Sequence, residues 1–149
     1  MAYTLQAIIA PSSAFEGKTF GGSMPISLAQ NFCILPFTNE FLYQQKLPAN
    51  PLMDGDTENT FQTIREFCAQ TFPQDRIAYI EAEFFGGSGT QGHVVFEKGK
   101  IISEIQIHNK AINEALKFLG VSVSGHDDEF AALNLGKHRN TENWLSVRH

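Results

Sequence analysis

The sequence predicts a single α+β domain in which a mainly antiparallel sheet of about five strands is covered on one face by amphipathic helices. Three observations lead there. Residues 76–107, RIAYIEAEFFGGSGTQGHVVFEKGKIISEIQI, read as a strand, a glycine-rich connection, a strand, a tight turn and a third strand. Residues 58–71 and 111–119 repeat apolar side chains at three- and four-residue steps, the spacing of a helix that buries one side. No internal repeat, low-complexity tract or linker divides the 149 residues, so residues 1–149 form one domain.

Each element has a local reason. Residues 3–10 form a strand, with Leu5, Ala7 and Ile9 sharing a face. Residues 11–24 hold Gly17, Gly21 and Gly22 and read as a loop. Residues 26–37 form a second strand, with Pro36 placing part of it at an edge. Thr38 or Asn39 caps a short helix over 40–46, and residues 47–56, with Pro48, Pro51 and Gly55, form a surface loop. Asp56 or Thr57 caps the helix over 58–71, whose buried side carries Phe61, Ile64, Cys68 and Phe72.

In the meander, Ala78, Ile80, Ala82 and Phe84 alternate with Tyr79, Glu81, Glu83 and Phe85, and the strand resumes at His93. Gly99 takes the left-handed position of the turn over 97–100, and Ile101, Ser103, Ile105 and Ile107 face inward on the third strand. Asn109 caps the helix over 111–119, which Gly120 ends. A short helix over 127–133 has acids in its first turn and stops at Gly136, and Asn140 or Thr141 caps a last turn carrying Trp144. Burial of Trp144 folds the C-terminal segment back onto the domain, with Arg139 paired to Glu81, Glu83 or Glu142.

Composition narrows the function classes. Hydrophobic residues at 42% and charged residues at 18% indicate a globular chain, and the 13 phenylalanines indicate an aromatic core. A net charge of −5 disfavours nucleic acid and favours a basic protein partner. Two cysteines, Cys33 and Cys68, both in apolar surroundings, read as small buried hydrophobes and indicate no disulfide framework. No stretch approaches a membrane span and no basic leader precedes an apolar run, so the cytoplasm is the expected location.

Three groups of residues are candidates for chemistry. Gly87-Ser88-Gly89-Thr90-Gln91-Gly92 spells GxGxxG, but a β-rich HVVFE follows where a dinucleotide fingerprint requires a helix, and no GK[ST] is present. Its other use is as a small anion-binding nest built on Gly86, Gly87, Ser88, Gly89, Thr90 and Gln91. Tyr79, Glu81, Glu83 and Phe85 line one side of a strand, an acidic and aromatic composition suited to a protein interface. His126, His138 and Arg139, with Asp127 and Asp128, form the one histidine-and-acid group, a possible secondary site without the ligand spacing of a metal centre. No cofactor is implied, and neither cysteine has the polar surroundings of a reactive thiolate.

The stretches YIEAEFFGGSGTQ at 79–91, INEALKFLGV at 112–121 and DEFAALNLGKHRNTENW at 128–144 resemble the pattern of a bacterial protein family with no established activity. The resemblance spans roughly the last half of the chain and extends loosely to YTLQAIIA at 3–10, with His93 standing where a smaller residue is expected. It carries no catalytic residue. By analogy of type, it implies an immunity or accessory protein.

Two functions are therefore expected in competition. One is a cytoplasmic protein-binding module, an immunity or inhibitor protein that occludes a basic partner through Tyr79, Glu81, Glu83 and Phe85. The other is a small hydrolase or ligand-binding domain that holds a phosphorylated or ADP-ribose-type ligand at the Gly86, Gly87, Ser88 and Gly89 loop, with Glu81, Glu83 or His126 as base.

Overall fold

The computed structural model describes residues 2–54, 61–85 and 88–145. Among them six strands, β1 (Ala2–Pro11), β2 (Ile26–Ser27), β3 (Phe32–Pro36), β4 (Arg76–Phe85), β5 (Ser88–Glu97) and β6 (Lys100–His108), form one sheet. The order is β2-β3-β1-β4-β5-β6, and every pairing is antiparallel. The helices are α1 (Asn39–Gln45), α2 (Pro51–Asp54), α3 (Gln62–Thr71), α4 (Ala111–Leu119) and α5 (Glu129–Ala132). The expected α+β class holds, with β2 as an additional short strand. The cap expected at Asp56 or Thr57 lies outside the described residues.

The helices do not share one face. Leu5, Ala7, Ile9, Ala78, Ile80 and Ala82 pack with Ile112, Ala115 and Leu116 of α4, and with Leu133, Leu135 and Trp144. Ile8, Ala10, Ile77 and Tyr79 pack on the opposite side with Phe41 of α1, Leu52 of α2, and Ile64 and Cys68 of α3. The cause lies in the central strands: β1 and β4 are apolar on both faces, so each face has to be covered. Much of the phenylalanine serves the second cluster. Phe37 and Phe61 lie 5.7 Å and 5.5 Å from the Tyr79 ring, and Phe37 lies 4.8 Å from Phe41.

Local expectations fare unevenly. Thr38 caps α1 through Oγ1, which accepts from the Phe41 N–H at 3.2 Å. Lys98 and Gly99, at φ 52° and 80°, make the expected tight turn between β5 and β6. The strand expected over 26–37 is broken, because Gln30 and Asn31 adopt φ of 62° and 64°. The expected loop over 47–56 contains α2, with Pro51 and Leu52 buried. Ile107, on one of the two edge strands, is exposed, whereas Ile101 and Ile105 of the same strand pack against the core. Asn134, at φ 56°, rather than Gly136, stops the turn after α5.

The C-terminal segment folds back as expected, with Trp144 buried, but among the described residues Arg139 forms no ion pair with Glu81, Glu83 or Glu142. β3 pairs with β1 only from Ala7 onward, which leaves the edge of the first half of β1 open. The Thr4 N–H donates to the Arg139 carbonyl at 2.9 Å and the Gln6 N–H to Thr141 Oγ1 at 3.1 Å. Residues 139–141 thus cover an edge that would otherwise offer itself to another strand. The Glu142 carboxylate accepts from the Asn39 N–H at 2.7 Å, tying the segment to the start of α1.

Candidate functional site

Gln6 of β1 and Glu81 of β4 are direct cross-strand partners near the middle of the sheet. Both are buried, and on the same face Ile8 and Tyr79 stand beside them. Two polar side chains in such a place need partners, because an unpaired buried polar group costs about 1–3 kcal/mol. The chain supplies them from residues 48–53. Glu81 Oε2 accepts from the Leu52 N–H at 3.1 Å, and Oε1 from the Met53 N–H at 2.9 Å. Gln6 Nε2 donates to the Pro48 carbonyl at 3.1 Å, while its Oε1 accepts from the Asn50 N–H at 3.2 Å.

Tyr79 joins the two side chains. Its hydroxyl donates to Glu81 Oε2 at 2.5 Å and accepts from Gln6 Nε2 at 2.9 Å. Gly92 of β5, opposite Glu81, makes the room for α2. A Cβ there would stand 3.0 Å from Met53 Cε and 3.1 Å from Leu52 Cδ1. Burial raises the Glu81 carboxyl to about 7; hydrogen bonds from Tyr79, Leu52 and Met53 oppose the rise, and the charge of Asp54 adds to it. Burial, and then Glu81, hold the Tyr79 hydroxyl well above its ordinary value.

The expected interface stripe is accordingly split. Tyr79 and Glu81 are fully buried under α2, whereas Glu83 and Phe85, further along the same face, are exposed. The expectation of one exposed face fails because a segment some thirty residues earlier in the chain lies across half of it. Glu81 as a general base would need a substrate to reach oxygens that Leu52, Met53 and Tyr79 occupy.

The glycine-rich stretch is largely strand. Gly86 and Gly87 lie outside the described residues, and Ser88 pairs with Phe85 as the first residue of β5. Gly89 pairs with Phe84 so closely that a Cβ would stand 2.0 Å from the Glu83 carbonyl oxygen. Thr90 pairs with Glu83. Gln91 turns to the other face, where Oε1 accepts from the Ile112 N–H at 2.8 Å, satisfying the first turn of α4 in place of the expected Asn109 cap. The GxGxxG letters therefore lead into a hairpin strand, the wrong setting for a helix-borne phosphate site.

His126, His138 and Arg139 do not assemble into a site. His126 is exposed in a turn, where its N–H donates to the Val123 carbonyl at 2.9 Å. The His138 ring packs edge-on to Trp144, with centroids 4.6 Å apart, and burial lowers its pKa, with Lys137 adding to the effect. Arg139 contributes its backbone to the edge of β1.

A different histidine group went unrecognised in the sequence. His93 Nε2 lies 2.7 Å and His108 Nε2 3.4 Å from the same oxygen, Glu114 Oε1, joining β5, β6 and α4. Burial lowers the pKa of His93 despite the opposing carboxylate, so its neutral ring donates Nε2–H to Glu114. The hydrogen bond from His93 holds Glu114 below the usual carboxylate range. Beside this group runs an open groove of about 750 Å³, lined by His108, Lys110, Glu114, Lys117, Asp127 and Asp128 among others. The signal was the parity of His93 with the inward-facing Val95, and the place of Glu114 beside Ala115 at the margin of the apolar stripe. Among the described residues no group of three His, Cys, Asp or Glu side chains is arranged to hold a metal ion, and no helix is long and apolar enough to cross a membrane. Compared with family models, curated proteins and solved structures, the chain matches none.

Proposed function

We propose that the protein is a protein-binding module of the inhibitor type, which occludes a basic partner in the cytoplasm. Docking uses the solvent-facing end of the β4 stripe and its neighbours. The observation that carries this reading is the exposure of Phe85, 55% exposed at the end of the stripe that α2 leaves uncovered; Ile107, 47% exposed, lies on the same side of the sheet level with Gly92. Glu83 and Thr90, a cross-strand pair, belong to the same side of the sheet. An aromatic anchor beside a carboxylate, on a chain of net charge −5, suits a partner with a basic rim around an apolar contact. Cys33 and Cys68, both free and buried, are compatible with a reducing compartment.

The test places a photo-crosslinking residue at position 85 in the source cell, with position 43 as control, because Tyr43 is also highly exposed. A discrete adduct with a basic protein is expected from position 85 and not from position 43. With that protein purified, Glu83→Lys should slow association and flatten its salt dependence, and Phe85→Ala should mainly hasten dissociation. Equal adduct patterns from both positions would overturn the reading, as would unchanged rates in the two variants.

A further inference from the structure

We propose that the groove beside α4 binds a small zwitterion, an α-amino acid whose ammonium group meets Glu129 and Asp127 and whose carboxylate meets Lys110 and Lys117. The groove lies between α4 and residues 123–129, and its volume of about 750 Å³ is that of a small-molecule site. Glu129 is the observation that carries the proposal. It borders the groove, is 6% exposed and, among the described residues, its carboxylate has no hydrogen-bond or ion-pair partner. A carboxylate so buried is normally paired, because taking a charge out of water without a partner is costly.

Its own helix does not supply that partner. Glu129 is the first residue of α5, but the donors of this turn go elsewhere. The Phe130 N–H donates to Asn113 Oδ1 at 2.8 Å and the Ala131 N–H to Asp128 Oδ1 at 2.8 Å, while the Ala132 N–H donates to the Asp128 carbonyl at 2.9 Å. Asn113 Nδ2 also donates to Asp128 Oδ2 at 3.2 Å. Asn113 and Asp128 thus tie α4 to α5 and hold the two walls of the groove in place.

The remaining charges choose the ligand. Lys110 and Lys117, at the start and in the last turn of α4, are exposed and border the groove. Between them Glu114 is held by His93 and His108, and His108 Nδ1 accepts from the Lys110 N–H at 3.2 Å. Asp127 borders the other wall and is exposed. With Glu114 and Asp128 engaged, two lysines and two carboxylates line one groove, and among the described residues none of the four is in an ion pair. Such a groove complements a molecule carrying both signs of charge. A metal ion would require converging ligands, and among the described residues no such group exists. Val123, 37% exposed on the same groove, offers an apolar contact to the ligand's side chain. None of these residues belongs to the Phe85 surface, so the proposal is independent of the protein-binding reading.

The test follows the amide NMR signals of the whole chain during titration with each of the common L-amino acids, using butylamine and butyrate as probes that carry one charge only. At least one amino acid should move the signals of residues 110–117 and 127–129, leave that of Ile80 in place, and bind at least tenfold more tightly than either single-charge probe. Glu129→Gln and Lys117→Met should each weaken that binding by at least tenfold. No movement of these signals at about 10 mM of any amino acid would overturn the proposal. So would butylamine or butyrate binding as tightly as the amino acid, or unchanged binding in either variant. Should Glu129→Gln fail to fold, Lys117→Met and Asp127→Asn, both at exposed positions, decide by the same criterion.

Discussion

Replacing Trp144 by alanine measures how firmly the C-terminal segment belongs to the domain. The side chain is 2% exposed and belongs to the cluster that includes Ile34, Leu133 and Leu135. The turn carrying it lies against β1 and β3. Truncating a buried tryptophan to alanine costs about 3–5 kcal/mol. Against a total stability of about 7–22 kcal/mol for a chain of this length, that is a large fraction. At about 2–4 °C for each kcal/mol, the thermal midpoint should fall by about 6–20 °C. Among the described residues the indole Nε1–H has no acceptor, so the loss comes from packing rather than from a broken hydrogen bond. Trp144→Phe, which removes that unsatisfied donor and keeps an aromatic ring, should therefore recover most of the loss. Urea unfolding followed by circular dichroism gives both values. A change below about 1 kcal/mol in Trp144→Ala would refute the reasoning and leave residues 139–145 as a loosely held strap.

The remaining predictions concern the hairpin and the histidines. Gly89→Ala should cost about 1–3 kcal/mol, since the new Cβ would press on the Glu83 carbonyl. Gly99→Ala, at φ 80° with its Cβ no closer than 3.5 Å to any neighbour, should cost only about 1 kcal/mol of backbone strain. Matched urea curves compare the two, and a smaller cost at position 89 would contradict the close strand approach. The His93 ring should stay neutral, with its proton on Nε2, at pH values where an ordinary histidine of pKa 6.5 is already charged. Nitrogen NMR of the ring tests this, and a midpoint at 6.5 would disprove the burial argument. Because the native state resists this proton, the contribution of His93 to stability falls as pH drops below 6.5. Glu81 acts in the opposite sense, favouring the native state toward acid. The stability of Glu81→Gln should therefore fall more steeply than that of the wild type on acidification from pH 7 to pH 5, and a parallel pair of pH profiles would count against the Glu81 assignment.

Local periodicity was enough for much of this architecture. The alternation in residues 76–85 became β4, the stripe at Ile112, Ala115 and Leu119 became α4, and Gly99 marked the turn between β5 and β6. These features depend on neighbours a few positions away, which the sequence displays directly. Alternation at Tyr79, Glu81, Glu83 and Phe85 assigned all four to one side of a strand, and they do lie on one side. It held no information on what covers that side. Residues 48–54 bury the first two and leave the last two in water, and that choice depends on the β1–β4 register and on a backbone segment from elsewhere in the chain. The same is true of Gln91, legible as part of a loop until α4 presents its first turn, and of His93, His108 and Glu114, which meet only when the meander and α4 pack together. Faces follow from the pitch of the backbone. Burial and partnership follow from which distant segment arrives there, so tertiary structure alone made Glu81 a buried, hydrogen-bonded carboxyl and left Phe85 exposed.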